Sequence, residues 1–306
     1  MKVWIPNPNG RALLGDVPDG VTLEIAERPD SLPSDPADLE FWVPPFLAQA
    51  DSVRLAAKMP ALRVVQLLSA GADAWYGQLP AGVSLHDARG VHDSSTAEWV
   101  LTAILSYLRA FPGFARAQAR HDWAYAAYAP TDELAGKHVL IVGAGSIGAA
   151  VKARLAPFEV TVTSVARSAR DGVHAVSELP DLLPHADVVV VIVPLTAETR
   201  GLIDADFLAA MKDGALLVNA ARGPVADTAA LVDAVATGRI GAAVDVTEPE
   251  PLPADHPLWD LPNVLITPHV AGSVRGLHPR AYKLVGEQLR RYAAGEPLVN
   301  EVVGGY

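Results

Sequence analysis

Residues 138–155 read HVLIVGAGSIGAAVKARL, a strand-forming run, a glycine-rich turn, then small and apolar residues at helical spacing. Gly143, Gly145 and Gly148 set the GxGxxG pattern. Glycine-rich hexamers are common in loops, so it is the strand before and the helix after that restrict the fold. Such a unit belongs in a parallel sheet, because the chain must cross back over the sheet before its next strand can pair. The first glycine permits a tight turn, the second lets the backbone approach a pyrophosphate, and the third lets helix and strand pack closely. The unpaired N–H groups at the helix start favour phosphate. The pattern predicts a dinucleotide site.

The rest of the chain keeps the same α/β alternation. Strands are predicted downstream at VTVTSV, DVVVVIV, ALLVN, GAAVDV and NVLIT, and upstream at KVWI, VTLEI, EFWV, RVVQLL and VSLHD. No upstream strand is followed by a phosphate-type glycine loop. Between the two sets, STAEWVLTAILSYLRAF carries apolar residues at helical spacing from about Thr96. Ser94, Ser95 or Thr96 is available as its cap, with Glu98 expected in the first turn. A last amphipathic helix over roughly 276–294 needs a partner, and the N-terminal segment is expected to provide it. At 306 residues two domains are expected: 97–274 as one, inserted into another made of 1–96 and 275–306.

A formal net charge of −11 argues against nucleic acid or an anionic membrane as the main partner, since both need clustered Lys and Arg. The absence of cysteine removes disulfides, thiolate nucleophiles and Cys-zinc sites. No two histidines have a metal-ligand spacing, so no metal is expected. The longest oily run, VVVVIVPL, is too short to span a bilayer, and MKVWIPNPNG lacks an apolar leader. A cytoplasmic protein is the expectation.

The second strand of the dinucleotide unit decides which dinucleotide. NAD binding usually places an acid at its end for the ribose 2′-hydroxyl. Here no acid lies between Thr161 and Arg170, and Arg167 and Ser168 occupy that end. A guanidinium with a hydroxyl suits a 2′-phosphate. NADP(H) is therefore favoured, with NAD(H) through backbone contacts as the alternative.

Three later strand ends carry polar side chains. LLVN leads to Arg222, AAVD ends in Asp245 with Glu250 beyond, and VLIT leads through Pro268 to His269. In a parallel sheet all three reach the edge that bears the glycine loop. A cation, an imidazole and a carboxylate meet the needs of 2-oxo acid reduction. Arg222 would hold the substrate carboxylate and polarise the keto oxygen, His269 would supply the proton, and Glu250 would support the imidazolium.

In order and spacing, GAGSIG, VNAARG, AAVDVTEPEP and TPHVAGS resemble the D-isomer-specific 2-hydroxyacid dehydrogenase family, in its glyoxylate/hydroxypyruvate reductase-like branch. LLSAGADAW resembles the family's substrate loop, and HDSSTAEWVL resembles the entry to its interdomain helix. The resemblance implies a flavodoxin-like substrate domain interrupted by a Rossmann domain. It implies backbone contacts to substrate at Ala70 and Gly71, beside Arg222 and His269. It places Asp245 against the nicotinamide amide and extends the cofactor set to Ser146, Ile147, Pro194 and Ala220. It also implies a D-product and a homodimer. The aromatic and basic run YLRAFPGFARAQARHDWAYAAY fits a subunit interface better than a nucleic-acid surface.

The sequence departs from the family in places. APFEV has no glycine before the second Rossmann strand, and Thr228 stands where Glu is frequent, although Asp227 remains. Glu250 argues against the formate dehydrogenase branch, which carries a glutamine in that role. With the sequence ending at Tyr306, the regulatory extension of long phosphoglycerate dehydrogenases is not expected. Trp42, Pro44, Pro45 and Phe46 follow a strand end and either shape a pocket or fill the core. His92 either lines the cleft or serves as a surface or capping residue. A dinucleotide-sensing, corepressor-like protein on the same fold is the alternative function, although no basic tail accompanies it.

Overall fold

Every predicted strand pairs in parallel with its neighbours, one further strand joins them, and the pairing yields two sheets. The computed structural model describes residues 1–46 and 50–303, with backbone only at Ala50 and Asp51; Tyr306 lies outside the described residues. The chain divides into two compact units, residues 1–92 with 274–306 and residues 93–273. Both divisions fall slightly before the expected crossings. The first does so because the helix expected from about Thr96 already begins at Asp93.

The first unit contains β1 (Lys2–Ile5), β2 (Thr22–Ile25), β3 (Leu39–Trp42), α1 (Ala50–Ala56), β4 (Val64–Gln66) and β5 (Ser84–His86). Its five strands run in the order β2-β1-β3-β4-β5, the flavodoxin-like arrangement. Alternate side chains on a strand face opposite sides, so a sheet covered on both faces reads as a continuous apolar run. Val3, Ile5, Phe41 and Val64 accordingly pack with Leu277, Ala281, Tyr282, Val285 and Leu289 of the long C-terminal helix, Leu277–Ala294. Trp4, Trp42, Val65 and Leu85 point the other way, against Val53, Leu55 and Ala56 of α1 and against Trp75. Trp42 is therefore core, and it meets Trp75 edge-on at 5.5 Å.

The outer edge of β5 is covered by the chain's own C-terminal segment. Val302 N donates to Leu85 O, and Asp87 N donates to Asn300 O. A covered edge offers no template for another chain. His86 joins the same seam, with Nδ1 2.8 Å from Val299 O. Burial pushes its imidazole below the usual value, outweighing the carbonyl and the nearby Glu301 and Asp87.

The second unit opens with α2 (Asp93–Leu108), α3 (Phe111–Ala119) and α4 (Tyr125–Tyr128). Then β6 (His138–Val142) and α5 (Ser146–Leu155) lead to β7 (Thr161–Ala166), β8 (His174–Ala175), α6 (Leu179–Leu182), β9 (Val188–Val191) and α7 (Ala205–Ala210). It finishes with β10 (Leu216–Asn219), α8 (Thr228–Ala236), β11 (Gly241–Val244) and β12 (Val264–Ile266); the first unit's closing helix is α9. The strand order is β12-β11-β10-β9-β6-β7-β8, the Rossmann order with one further strand. Val139, Ile141, Val188 and Val190 pack with α2 and α5 on one face, while Leu140, Val142, Val189 and Val191 pack with α6, α7 and α8 on the other.

Three local results depart from expectation. β8 is a two-residue strand in a stretch with no apolar pattern to announce it. Asp93, not Glu98, supplies the acid of the first turn of α2. The turn before β7 that lacks the family's glycine places Glu159 in the left-handed region, with φ of +58°. Among the described residues no helix is long and apolar enough to cross a membrane.

His86 gives a testable pH dependence. Its proton affinity is lower folded than unfolded, so stability is lost as pH falls through the unfolded value of about 6.5. Urea midpoints should fall as the pH is lowered from about 7.5 to about 5.5, and His86→Asn should remove that part of the slope.

Candidate active site

The glycine loop meets the steric demands of a pyrophosphate cradle. Gly143 has φ of +122°, and a Cβ there would lie 2.0 Å from Ile192 O. A Cβ on Gly148 would lie 2.0 Å from Gly143 O, which sets how closely α5 approaches the strand. Gly145 opens α5 with no side-chain cap, and a Cβ on it would meet nothing within 4 Å. Uncapped N–H groups facing open space are what an anion at a helix start requires. These residues fit a dinucleotide. Ser146 Oγ donates to Asp93 Oδ1 at 3.0 Å, which ties the loop to α2. Ile147 is partly buried and packs against the apolar layer between α2 and the sheet.

Arg167 and Ser168 are exposed immediately after β7, on the same edge as the glycine loop. The structure adds a residue that sequence reading passed over. Arg170 Nη2 donates to Ala144 O at 2.9 Å, bringing a second guanidinium onto the loop between Gly143 and Gly145. The signal was present in VARSAR, whose final arginine lies close beyond Ser168. Pro194 and Ala220 follow β9 and β10 at this edge, with Ala220 N donating to Val191 O.

The β10 end is organised by Asn219, which is buried. Its Oδ1 accepts Ala221 N at 3.0 Å and its Nδ2 lies 3.4 Å from Arg222 O. Arg222 is half-buried, and its Nη1 donates to Ala221 O at 2.8 Å. Beside it, a Cβ on Gly223 would fall 1.9 Å from Thr247 O. Only glycine lets the loops after β10 and β11 touch so closely. Thr228 tightens the same contact by donating to Glu248 O at 2.8 Å, and Asp227 caps α8 through Ala229 N and Ala230 N. Thr228 thus holds the loop that carries Glu250.

Asp245 ends β11 and is 2% exposed. Its Oδ1 accepts Thr267 Oγ1 at 2.6 Å and Val270 N at 2.9 Å, and its Oδ2 accepts Ala271 N at 2.9 Å. Its main-chain oxygen accepts His269 N at 2.7 Å. Both carboxylate oxygens therefore serve the loop after β12. His269 sits in that loop with φ of +53°, a region that costs a non-glycine residue roughly 1 kcal/mol or more. Its Nδ1 is 2.8 Å from Glu250 Oε1. A carboxylate only accepts, so Nδ1 carries the hydrogen of that bond and Nε2 is the ring atom left to exchange a proton.

Three strand ends thus lie in adjacent positions, with His269 and Glu250 in contact, and the glycine loop two strands further along the same edge. Ala70 and Gly71 belong to the first unit, in a half-buried turn after β4 where Ser69 Oγ donates to Gly71 O at 2.8 Å. His92 is not at the surface: it is buried, its Nε2 is 2.9 Å from Leu68 O, and its ring stacks on Phe46. No group of three His, Cys, Asp or Glu among the described residues is placed to hold a metal.

Sheet order, glycine cradle and strand-end polar residues define a doubly wound α/β protein with a dinucleotide-binding domain. Residues 101–271, over half the chain, match the family described as "D-isomer specific 2-hydroxyacid dehydrogenase, NAD binding domain", and the chain belongs to that family. It is 34% identical to the D-3-phosphoglycerate dehydrogenase of Mycobacterium bovis over 99% of its own length, and spans 55% of that relative. A solved D-isomer specific 2-hydroxyacid dehydrogenase from Xanthobacter autotrophicus Py2, in complex with NADPH and MES, aligns with 34% identity, 99% coverage of both chains and a TM-score of 0.83. An NADPH-dependent glyoxylate/hydroxypyruvate reductase from Sinorhizobium meliloti, in complex with NADP and sulfate, aligns with 27% identity and a TM-score of 0.84, covering 99% of this chain and 98% of that one.

The close approach at Gly223 predicts that Gly223→Ala destabilises the fold by about 1–3 kcal/mol, read from denaturant midpoints, because the added methyl overpacks against backbone. A midpoint equal to the parent's would show that the two loops can part freely.

Proposed function

We propose that the protein is an NADP(H)-preferring reductase of small 2-oxo acids, of the size of glyoxylate or hydroxypyruvate, with NAD(H) as a slower cofactor. The observation that carries the reading is the 2.8 Å pair of His269 Nδ1 and Glu250 Oε1, held at the sheet edge that also bears Arg222 and the glycine loop. Family membership supports it, as do the names of the Xanthobacter and Sinorhizobium relatives. The cofactor, when bound, would supply a hydride to the keto carbon.

The chain's own residues would do the rest. Arg222 would bind the substrate carboxylate and draw charge from the keto oxygen, an interaction that strengthens as the alkoxide develops. His269 would deliver a proton from Nε2 to that oxygen, its ring fixed through Nδ1 by Glu250. Ala70 and Gly71 are proposed as backbone contacts to substrate, and Asp245 as a nicotinamide contact. Gly143, Gly145, Ser146, Ile147, Gly148, Pro194 and Ala220 are proposed to line the rest of the cofactor site. Arg167, Ser168 and Arg170 would pair with a 2′-phosphate. Phe111, Trp123 and Tyr125 are 62, 94 and 71% exposed, and we assign this aromatic surface to a homodimer contact.

Two measurements follow from these roles. Arg222→Ala should lower kcat/KM for glyoxylate by roughly 10²–10³ while NADPH affinity holds; near-parental turnover would remove the arginine from the chemistry. Arg167→Ala should raise KM for NADPH by about tenfold and leave KM for NADH unchanged. Equal effects on the two cofactors would contradict the 2′-phosphate assignment.

A further inference from the structure

We infer that Trp99 and Thr267 are positioning residues for His269, acting through the Asp245 carboxylate. Three bonded groups connect α2 to the loop after β12. The Trp99 indole Nε1 donates to Thr267 Oγ1 at 3.0 Å, and that hydroxyl passes its own hydrogen to Asp245 Oδ1 at 2.6 Å. The direction is fixed at both ends, because an indole N–H can only donate and the carboxylate is already the acceptor of two backbone amides. The threonine hydroxyl is the one group in the relay that must both accept and donate.

The far side of the carboxylate shows what the relay holds. Val270 N and Ala271 N, the two amides that follow His269, both bond to Asp245, and His269 N lies against Asp245 O and Thr267 O. The backbone on each side of the histidine is therefore tied down. A left-handed histidine with φ of +53° persists only where its surroundings over-determine it. Release of Val270 and Ala271 would let that strain relax, and the ring would swing away from Glu250. Asp245 is buried, so rotation of its carboxylate has no solvent to compensate a lost donor. The hydroxyl of Thr267 fixes that rotation, and Trp99 fixes the hydroxyl.

The kinetic part of this inference rests on His269 being the proton donor; the structural part does not, and the experiment separates the two. Thr267→Val keeps the side-chain shape and removes both relay bonds, Thr267→Ser keeps the hydroxyl, and Trp99→Phe removes only the first donor. Amide hydrogen exchange on the cofactor-free protein should speed up by about tenfold at Val270 and Ala271 in Thr267→Val and stay parental in Thr267→Ser. With saturating NADPH and glyoxylate, kcat should fall by about tenfold in Thr267→Val, less in Trp99→Phe, and recover in Thr267→Ser. Parental exchange at the two amides in Thr267→Val overturns the relay. So does a serine variant as impaired as valine, which would mean that packing matters and the hydroxyl does not. If the parent turns over no 2-oxo acid, the reductase reading fails while the exchange measurement still decides the relay.

Discussion

Strand direction is the constraint from which the site follows. All seven strands of the second unit run the same way, so every strand delivers its C-terminal residue to one edge. A strand buried on both faces can hold polar groups only where it ends, since an unpartnered polar side chain in its interior costs several kcal/mol. Four apolar runs give way at Gly143, Asn219, Asp245 and Thr267, with Arg222 and His269 just beyond the second and the last. Chemistry gathers there because the sheet permits it nowhere else.

That edge is held by close approach of backbone and by one buried carboxylate. Gly223 allows the loops after β10 and β11 to touch, and Thr228 fastens the second loop by its own hydroxyl. Asp245 then fixes the loop after β12 through Thr267, Val270 and Ala271. Glu250 and His269 meet at 2.8 Å although each is substantially exposed, with side-chain exposures of 43 and 28%. An exposed pair of this kind contributes little to stability by itself. Its geometry comes from the loops beneath it, which is why residues remote from the proposed chemistry should influence the histidine.

The sequence displayed most of the architecture and less of the support. Residues His138 to Gly148 were legible because strand, turn and helix each impose their own residue types over a short span. Arg222 and His269 were singled out because each lies just past an oily run, and Glu250 because it lies a few residues beyond a third. The start of α2 was misplaced, since three consecutive hydroxyl residues look like caps, yet Ser95 and Thr96 are buried inside the helix. Glu159 takes a left-handed turn that sequence reading reserves for glycine. Arg170, Trp99 and Thr267 act over separations of 26, 168 and 22 residues. No local pattern encodes such contacts, and the roles of those residues became visible only with coordinates.

The central claim is that this edge transfers hydride to a 2-oxo acid. It is tested most directly by following the label from NADPH deuterated at C4, prepared separately on each face, during incubation with glyoxylate. The account predicts that one of the two labelled cofactors places deuterium on C2 of the glycolate formed. Saturable NADPH binding with no deuterium in the product from either face would contradict it.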